Sequence, residues 1–321
     1  VGRKLRNRIK RLLLAVHRLG LRLGVVILPN HYYTSVPDLN ALARTQNVWA
    51  RRSELRGIDA DVDGQARRLV EICGPFEPEY RGNRAYLDAC ARGAGPGYGY
   101  IEAQALHGVV RHLRPRTIIE VGAGVSTACI LDAVARNERE GAERCEVISI
   151  EPYPRPWLRG APVRLIERAV QEVERELFDG LGARDLLFID SSHAVKVGSD
   201  VNHLILEVLP RLRRGVIVHL HDIYLPYDFP RDALATLSQP QETALLHAYL
   251  IGNPNVRIMF SLSMLHYERR DVLKQGFPEY SPQRERGGLQ DTSYRAFDEI
   301  AGHFPSSIYL EILGPATRDG E

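Results

Sequence analysis

The sequence predicts an α/β fold: a doubly wound, mostly parallel seven-stranded sheet preceded by a helical N-terminal extension. Three observations lead there. Short β-rich runs alternate with helix-patterned stretches from Thr117 onward, the order that parallel crossovers require. A turn containing Gly122 and Gly124 sits where the first run gives way to a helix, as in folds that bring a ligand to their strand ends. The chain has 321 residues, 44% of them hydrophobic and 26% charged, so it is long and apolar enough to bury such a sheet.

Charge divides the chain before any element is assigned. Residues 1–37 hold eight Lys/Arg and no Asp or Glu, so the remainder is net acidic although the whole carries +2. Within the basic end Leu5, Ile9, Leu12, Val16, Leu19 and Leu23 recur at steps of four and three, with Arg8, Arg11, Arg18 and Arg22 largely elsewhere. Such a helix covers its own domain, the commoner arrangement, docks on a partner, or makes a peripheral contact with an anionic membrane through residues 1–24. Arg18 and Arg22 leave the apolar stretch too short to span a bilayer, and no small-residue cleavage site follows. Cys73, Cys90, Cys129 and Cys145 show neither CxxC spacing nor zinc-site partners, which suits a cytoplasmic protein, at most attached to the inner face of the membrane.

Pro-rich turns such as LPNHYYTSVPD and short helical patterns mark residues 1–97 as the extension, with 98–321 as the main domain. Its opening segment, GPGYGYIEAQ, places Tyr98 and Tyr100 either over a bound cofactor or against the following helix. TIIEV (117–121) is the first strand and leads into a helical run to about Arg139. EVISIE (146–151), VRLIE (163–167), DLLFID (185–190) and GVIVHLHD (215–222) make five, and VRIMFSL (256–262) and SIYLEIL (307–313) supply the last two. Between those two the chain is polar and punctuated by Pro and Gly, so a cap insertion is expected near 266–300.

The glycine turn has a chemical bias. A dinucleotide fingerprint would place a third glycine at Thr127, and Glu120 puts a carboxylate where it repels a pyrophosphate but attracts an ammonium or sulfonium cation. Glu151 closes the second strand, from which an acid accepts both hydroxyl hydrogens of a ribose. Together they favour an adenosine-type site over a structural turn. Glu120, Gly122, Gly124, Ser126, Thr127, Glu151 and Tyr100 form its candidate binding set.

These residues resemble class I S-adenosylmethionine-dependent methyltransferases, whose fold is Rossmann-like; the similarity in element order spans roughly residues 98–313. More narrowly, IEVGAGVST, FIDSSH and HLHDIYLPYDFP resemble a bacterial branch grouped with cephalosporin-hydroxylase-like proteins and macrolide-sugar O-methyltransferases. In cation-dependent relatives an acid after the fourth strand and an adjacent pair after the fifth hold a divalent metal. The matching positions are Asp190, His221 and Asp222, with His221 standing where an acid is more usual. Neighbouring parallel strands open into one crevice, so Asp190 and Asp222 can share a cation that relieves their repulsion. Two carboxylates with one imidazole suit Mn²⁺ or Fe²⁺ as well as Mg²⁺.

His193 follows Asp190 by three, where catecholate-type relatives carry a lysine that deprotonates the acceptor. It is therefore the general-base candidate, with ligand or capping roles as alternatives. His219 lies on the same strand face as His221, as a further ligand, a support for the ligands, or a histidine bonded to core backbone. Tyr224, Tyr227 and Asp228 either line an acceptor pocket or form a rigid turn. The resemblance implies metal-assisted methyl transfer to a hydroxyl of a sugar or polyhydroxylated natural product. The acceptor is thus a small molecule or glycan; a nucleic acid is disfavoured by the acidic domain and the lack of an NPPY-like segment. A ferrous-iron oxygenase on the same fold and a non-catalytic partner protein are the rivals, and homo-oligomer formation stays open.

Overall fold

A computed structural model describes residues 3–31, 33–95, 97–236, 238–291 and 301–314, with only the backbone for residues 3–7. The chain divides into two compact units, Val1–Trp49 and Ala50–Glu321.

In the first unit the basic amphipathic segment forms a helix over Arg3–Arg22. Gly24, at φ +72°, ends it, and the chain turns back so that the Val25 amide donates to Gly20 O at 2.9 Å. A Cβ on Gly20 would lie 2.6 Å from Val25 O, so glycine is what lets the returning segment lie this close. His17 Nδ1 meets Ile27 O at 2.9 Å and fastens it further along. Two short helices follow, Leu39–Arg44, capped by the Asp38 carboxylate, and Gln46–Trp49.

In the second unit all seven expected strands form. They are β1 (Thr117–Val121), β2 (Glu146–Ile150), β3 (Arg164–Ile166), β4 (Leu186–Ile189), β5 (Ile217–Leu220), β6 (Val256–Ser261) and, after a small hairpin of β7 (Glu285–Arg286) and β8 (Leu289–Gln290), β9 (Ile308–Ile312). The order is β3-β2-β1-β4-β5-β9-β6, parallel except that β9 runs antiparallel to both neighbours. Its central strands are buried on both faces, mostly by apolar side chains, with Glu120 on β1 and His219 on β5 as the polar exceptions. Ile118, Leu186 and Phe188 point into a core shared with Leu69, Leu106 and Ile130. Ile119, Leu187 and Val218 point the other way, toward Leu204 and Ile205. Each such side chain contributes about 1.5–3 kcal/mol of burial.

The unit begins at Ala50 rather than near residue 98, so the extension expected over 1–97 is divided. The cause is the helix Val62–Cys73, whose Leu69, Ile72 and Cys73 join the first core, and whose Arg68 donates to the backbone oxygens of Ile258 and Met259 on β6. In the cap region, helices Leu262–Glu268 and Arg270–Gly276 lead to the hairpin. Tyr267 packs on Tyr227, and the Arg231 guanidinium lies 4.2 Å over Phe304, which holds this segment against the loop after β5. The rest of the expected cap, 292–300, lies outside the described residues. Strand order reverses between β1 and β4, and the carboxyl ends of β1, β2, β4 and β5 frame the crevice there.

Candidate active site

The glycine loop is tied down from beneath. Glu120 is fully buried and accepts from Ser126 Oγ (2.9 Å), Thr127 Oγ1 (2.8 Å) and Ser149 Oγ (2.8 Å). Burial pushes its carboxyl up to about 7 against those three hydrogen bonds, which pull it down. Three residues expected at the cofactor therefore spend their polar atoms on one another. Glu120 braces the loop instead of facing a cation, and Thr127, where a third glycine was absent, also accepts the Gly124 amide at 3.1 Å. Ser126 still borders a cavity, with its hydroxyl committed to Glu120. Gly122 sits at φ +82°, where a Cβ would fall 1.8 Å from Asp190 O. The first glycine is thus required by the end of β4.

Glu151 is placed as an exposed-side acceptor. Its Oε2 takes the Ala123 amide at 3.2 Å and its Oε1 the Tyr153 amide at 2.8 Å, which fixes a half-buried carboxylate at the crevice. It lines two adjoining cavities. One, of about 510 Å³, is bordered by Gly122, Glu151, Tyr153, Val170 and Asp190; the other, about 180 Å³, by Tyr98, Gly122, Gly124, Ser126, Glu151 and Asp190. Tyr100 borders neither. Its hydroxyl donates to Glu279 Oε1 at 3.0 Å and its ring stacks on His303, so Tyr98 is the tyrosine of this segment that reaches the crevice.

Behind those cavities runs a row of alternating acids and histidines. Asp190 Oδ1 is 3.0 Å from His221 Nδ1 and 3.3 Å from His193 Nε2. The far nitrogen of His193, Nδ1, meets Glu242 Oε2 at 2.7 Å, and that of His221, Nε2, lies 3.2 Å from Glu102 Oε1. One ligand atom each from Asp190, His193 and His221 lies within 4.8 Å of the others, a spacing that one metal ion can bridge. Asp222 stands at the margin, 3.7 Å from His193 Nε2 and 3.8 Å from His221 Nε2, with Ser306 Oγ donating to it at 2.9 Å. The expected trio of Asp190, His221 and Asp222 is therefore rearranged. His193, at φ +56°, turns its ring back over Asp190, whereas Asp222, at φ +52°, is drawn toward Ser306.

Electrostatics follow from this crowding. Burial pulls the His193 imidazolium down, but hydrogen bonds to Asp190 and Glu242 and the charges of Glu242 and Asp222 outweigh it and hold the group at about 10. His221 is likewise held well above its ordinary range by Asp190, Asp222 and Glu102 against burial. Burial would raise Asp190; the His221 charge and the two histidine hydrogen bonds keep it below the usual carboxylate range. Four acidic side chains face two imidazoles, so a metal ion held by these rings would have to displace a proton from each of them.

His219 lies outside the cluster of Asp190, His193 and His221 and bonds to a side chain instead of to backbone. Its Nε2 meets the Tyr98 hydroxyl at 2.7 Å, its ring stacks on Tyr309, and burial drives its pKa well below the ordinary value. Tyr224 stacks on Phe304, Tyr227 packs against Phe229, and Asp228 is exposed. Glu102, Glu242 and Ser306 were not anticipated. Each glutamate occupies the first turn of a helix, where an acid is ordinary, and its histidine partner is distant in sequence.

Residues 119–223, from β1 to the residue after Asp222, match a family described as a methyltransferase domain. A stretch of 169 residues is 27% identical to an uncharacterized protein of Archaeoglobus fulgidus, covering 49% of this chain and 75% of that one. Among solved structures the chain is similar to the plantazolicin methyltransferase BpumL in complex with a monoazolic desmethylPZN analog and SAH. The TM-score is 0.37 at 12% identity, over 78% of this chain and 96% of that chain. A putative methyltransferase from Thermobifida fusca YX gives a TM-score of 0.30 at 12% identity, over 83% and 97%.

Proposed function

We propose that the protein transfers a methyl group from S-adenosylmethionine to a hydroxyl of a sugar or polyhydroxylated acceptor, assisted by a divalent cation on Asp190, His193 and His221. The observation that carries this reading is the double position of Asp190. It borders both cavities beside Gly122 and Glu151, and its carboxylate also meets the two histidines. A donor with its ribose on Glu151 and a hydroxyl drawn to the histidines would meet at one strand end. The resemblance to the cephalosporin-hydroxylase-like branch belongs to this proposal.

The donor set fits a metal. Each histidine keeps one nitrogen toward Asp190 and gives the other to a buried glutamate, the support that fixes ring orientation and tautomer in metal sites. Two imidazoles with one carboxylate suit Mn²⁺ or Fe²⁺ better than Mg²⁺. Bound there, the cation would lower the pKa of an acceptor hydroxyl and orient it. With His193 among the ligands, the proton falls to Asp222. Its side chain is 31% exposed, against 20% for Asp190, 3% for Glu102 and 1% for Glu242, so it is the carboxylate that an acceptor can reach. The deprotonated oxygen would then attack the methyl carbon of bound S-adenosylmethionine as its C–S bond breaks and S-adenosylhomocysteine leaves, with catalysis resting on positioning and charge.

Equilibrium dialysis against Mn²⁺, calorimetry with S-adenosylmethionine and methyl-transfer assays on the same variants test this. His193→Ala should lose metal and turnover while keeping the donor; Asp222→Asn should keep both ligands and lose turnover by about 10²–10⁴. Near-wild-type transfer after exhaustive chelation would remove the metal from the mechanism. The same two-histidine, one-carboxylate set favours one other reading, a ferrous oxygenase. Oxygen uptake dependent on Fe²⁺, with no methylated product, would establish that reading in its place.

A further inference from the structure

We propose that the N-terminal unit docks on the surface of a bilayer rich in anionic lipid. The helix Arg3–Arg22 leaves its apolar stripe uncovered: Ile9, Leu12, Val16, Leu19 and Leu23 are all exposed, Leu12 at 65%, Leu19 at 58% and Leu23 at 73%. The stripe does not stand alone. Gly20 and His17 hold the returning segment against the same helix, and its Val25, Val26, Ile27 and Leu28 are exposed as well. One small body thus presents a helix face and an extended apolar segment together, and scattered exposure of single side chains does not account for that.

Charge selects the occupant. The first 37 residues hold eight Lys/Arg and no acid, and Arg8, Lys10, Arg11, Arg18 and Arg22 flank or oppose the stripe on the helix. A second copy laid on this face would set cations against cations. An anionic bilayer accepts the apolar side chains at the headgroup boundary and the Lys/Arg among its phosphates. The helix lies in the interface and does not cross it, since no described helix is long and apolar enough to span a membrane.

Flotation of the full chain with vesicles of phosphatidylglycerol and phosphatidylcholine, against phosphatidylcholine alone, tests the proposal. Binding is expected on the anionic vesicles, with release at high salt as screening shortens the attraction. The triple variant Arg8→Gln, Arg11→Gln, Arg18→Gln should weaken it by about tenfold or more, and Leu12→Ser with Leu19→Ser should abolish it. Circular dichroism and donor binding, which depends on residues after Ala50, show that the variants remain folded. The proposal falls if the full chain ignores anionic vesicles at low salt, or if the triple variant binds undiminished. It falls equally if a lipid-independent dimer forms through Leu12 and Leu19 while vesicles are ignored.

Discussion

Glu120 illustrates how a buried carboxylate couples the glycine loop to pH. Unfolded, it ionises in the usual carboxylate range; folded, burial holds its proton up to about 7. Between those values the folded state binds more protons than the unfolded one, so this group lowers stability as pH rises through the interval. Glu120→Gln should flatten that slope. Thermal unfolding followed from about pH 5 to pH 8 should show the wild type losing more stability than the variant, and parallel curves would refute the assignment. Glu242 predicts differently, since its carboxylate grips His193 Nδ1. Glu242→Gln should weaken Mn²⁺ binding by about 10–100-fold and leave S-adenosylmethionine affinity unchanged, which dialysis and calorimetry read separately. Asp190, His221 and His193 were legible because strand ends announce themselves in sequence. The direction of Glu120 was not, because Ser149, one of the partners that turn it inward, arrives from the neighbouring strand β2.

At the scale of elements, the turn between β1 and the helix Val125–Arg139 depends on its two glycines unequally. Gly122 holds a positive φ with Asp190 O where its Cβ would go, whereas a Cβ on Gly124 meets only Ala94 O at 3.4 Å. Gly122→Ala must therefore move β1 from β4 or bend the loop, at about 1–3 kcal/mol. Gly124→Ala should cost distinctly less. Denaturant unfolding of both variants measures this, and equal losses would show that the close approach to Asp190 does not constrain the loop. All seven sheet strands were readable because each is a short run rich in Val, Ile, Leu and Phe bounded by turns. The cap hairpin and the helix Val62–Cys73 were not readable as parts of this unit. Their partners lie far along the chain, as Arg68 shows in bonding to Ile258 and Met259, and local pattern gives an apolar face without naming what it meets.

For the molecule as a whole, both cores of the second unit are built from residues after Ala50, as are the cavities and the acid–histidine row. Composition had marked the basic end as separate, but a stripe at helical spacing fits a buried helix and an exposed one equally, so its exposure came only with the structure. The division predicts independence. A chain of residues 50–321 should unfold in one cooperative transition within a few degrees of the corresponding transition in the full chain, and should keep donor and metal affinity. Calorimetry of the two proteins, each with and without Mn²⁺, measures this directly. Metal should raise the melting temperature of both by the same amount, because a ligand stabilises whichever cooperative unit binds it. A lower melting temperature in the shorter chain, or a smaller metal shift, would mean that residues 1–49 support the unit that carries the site.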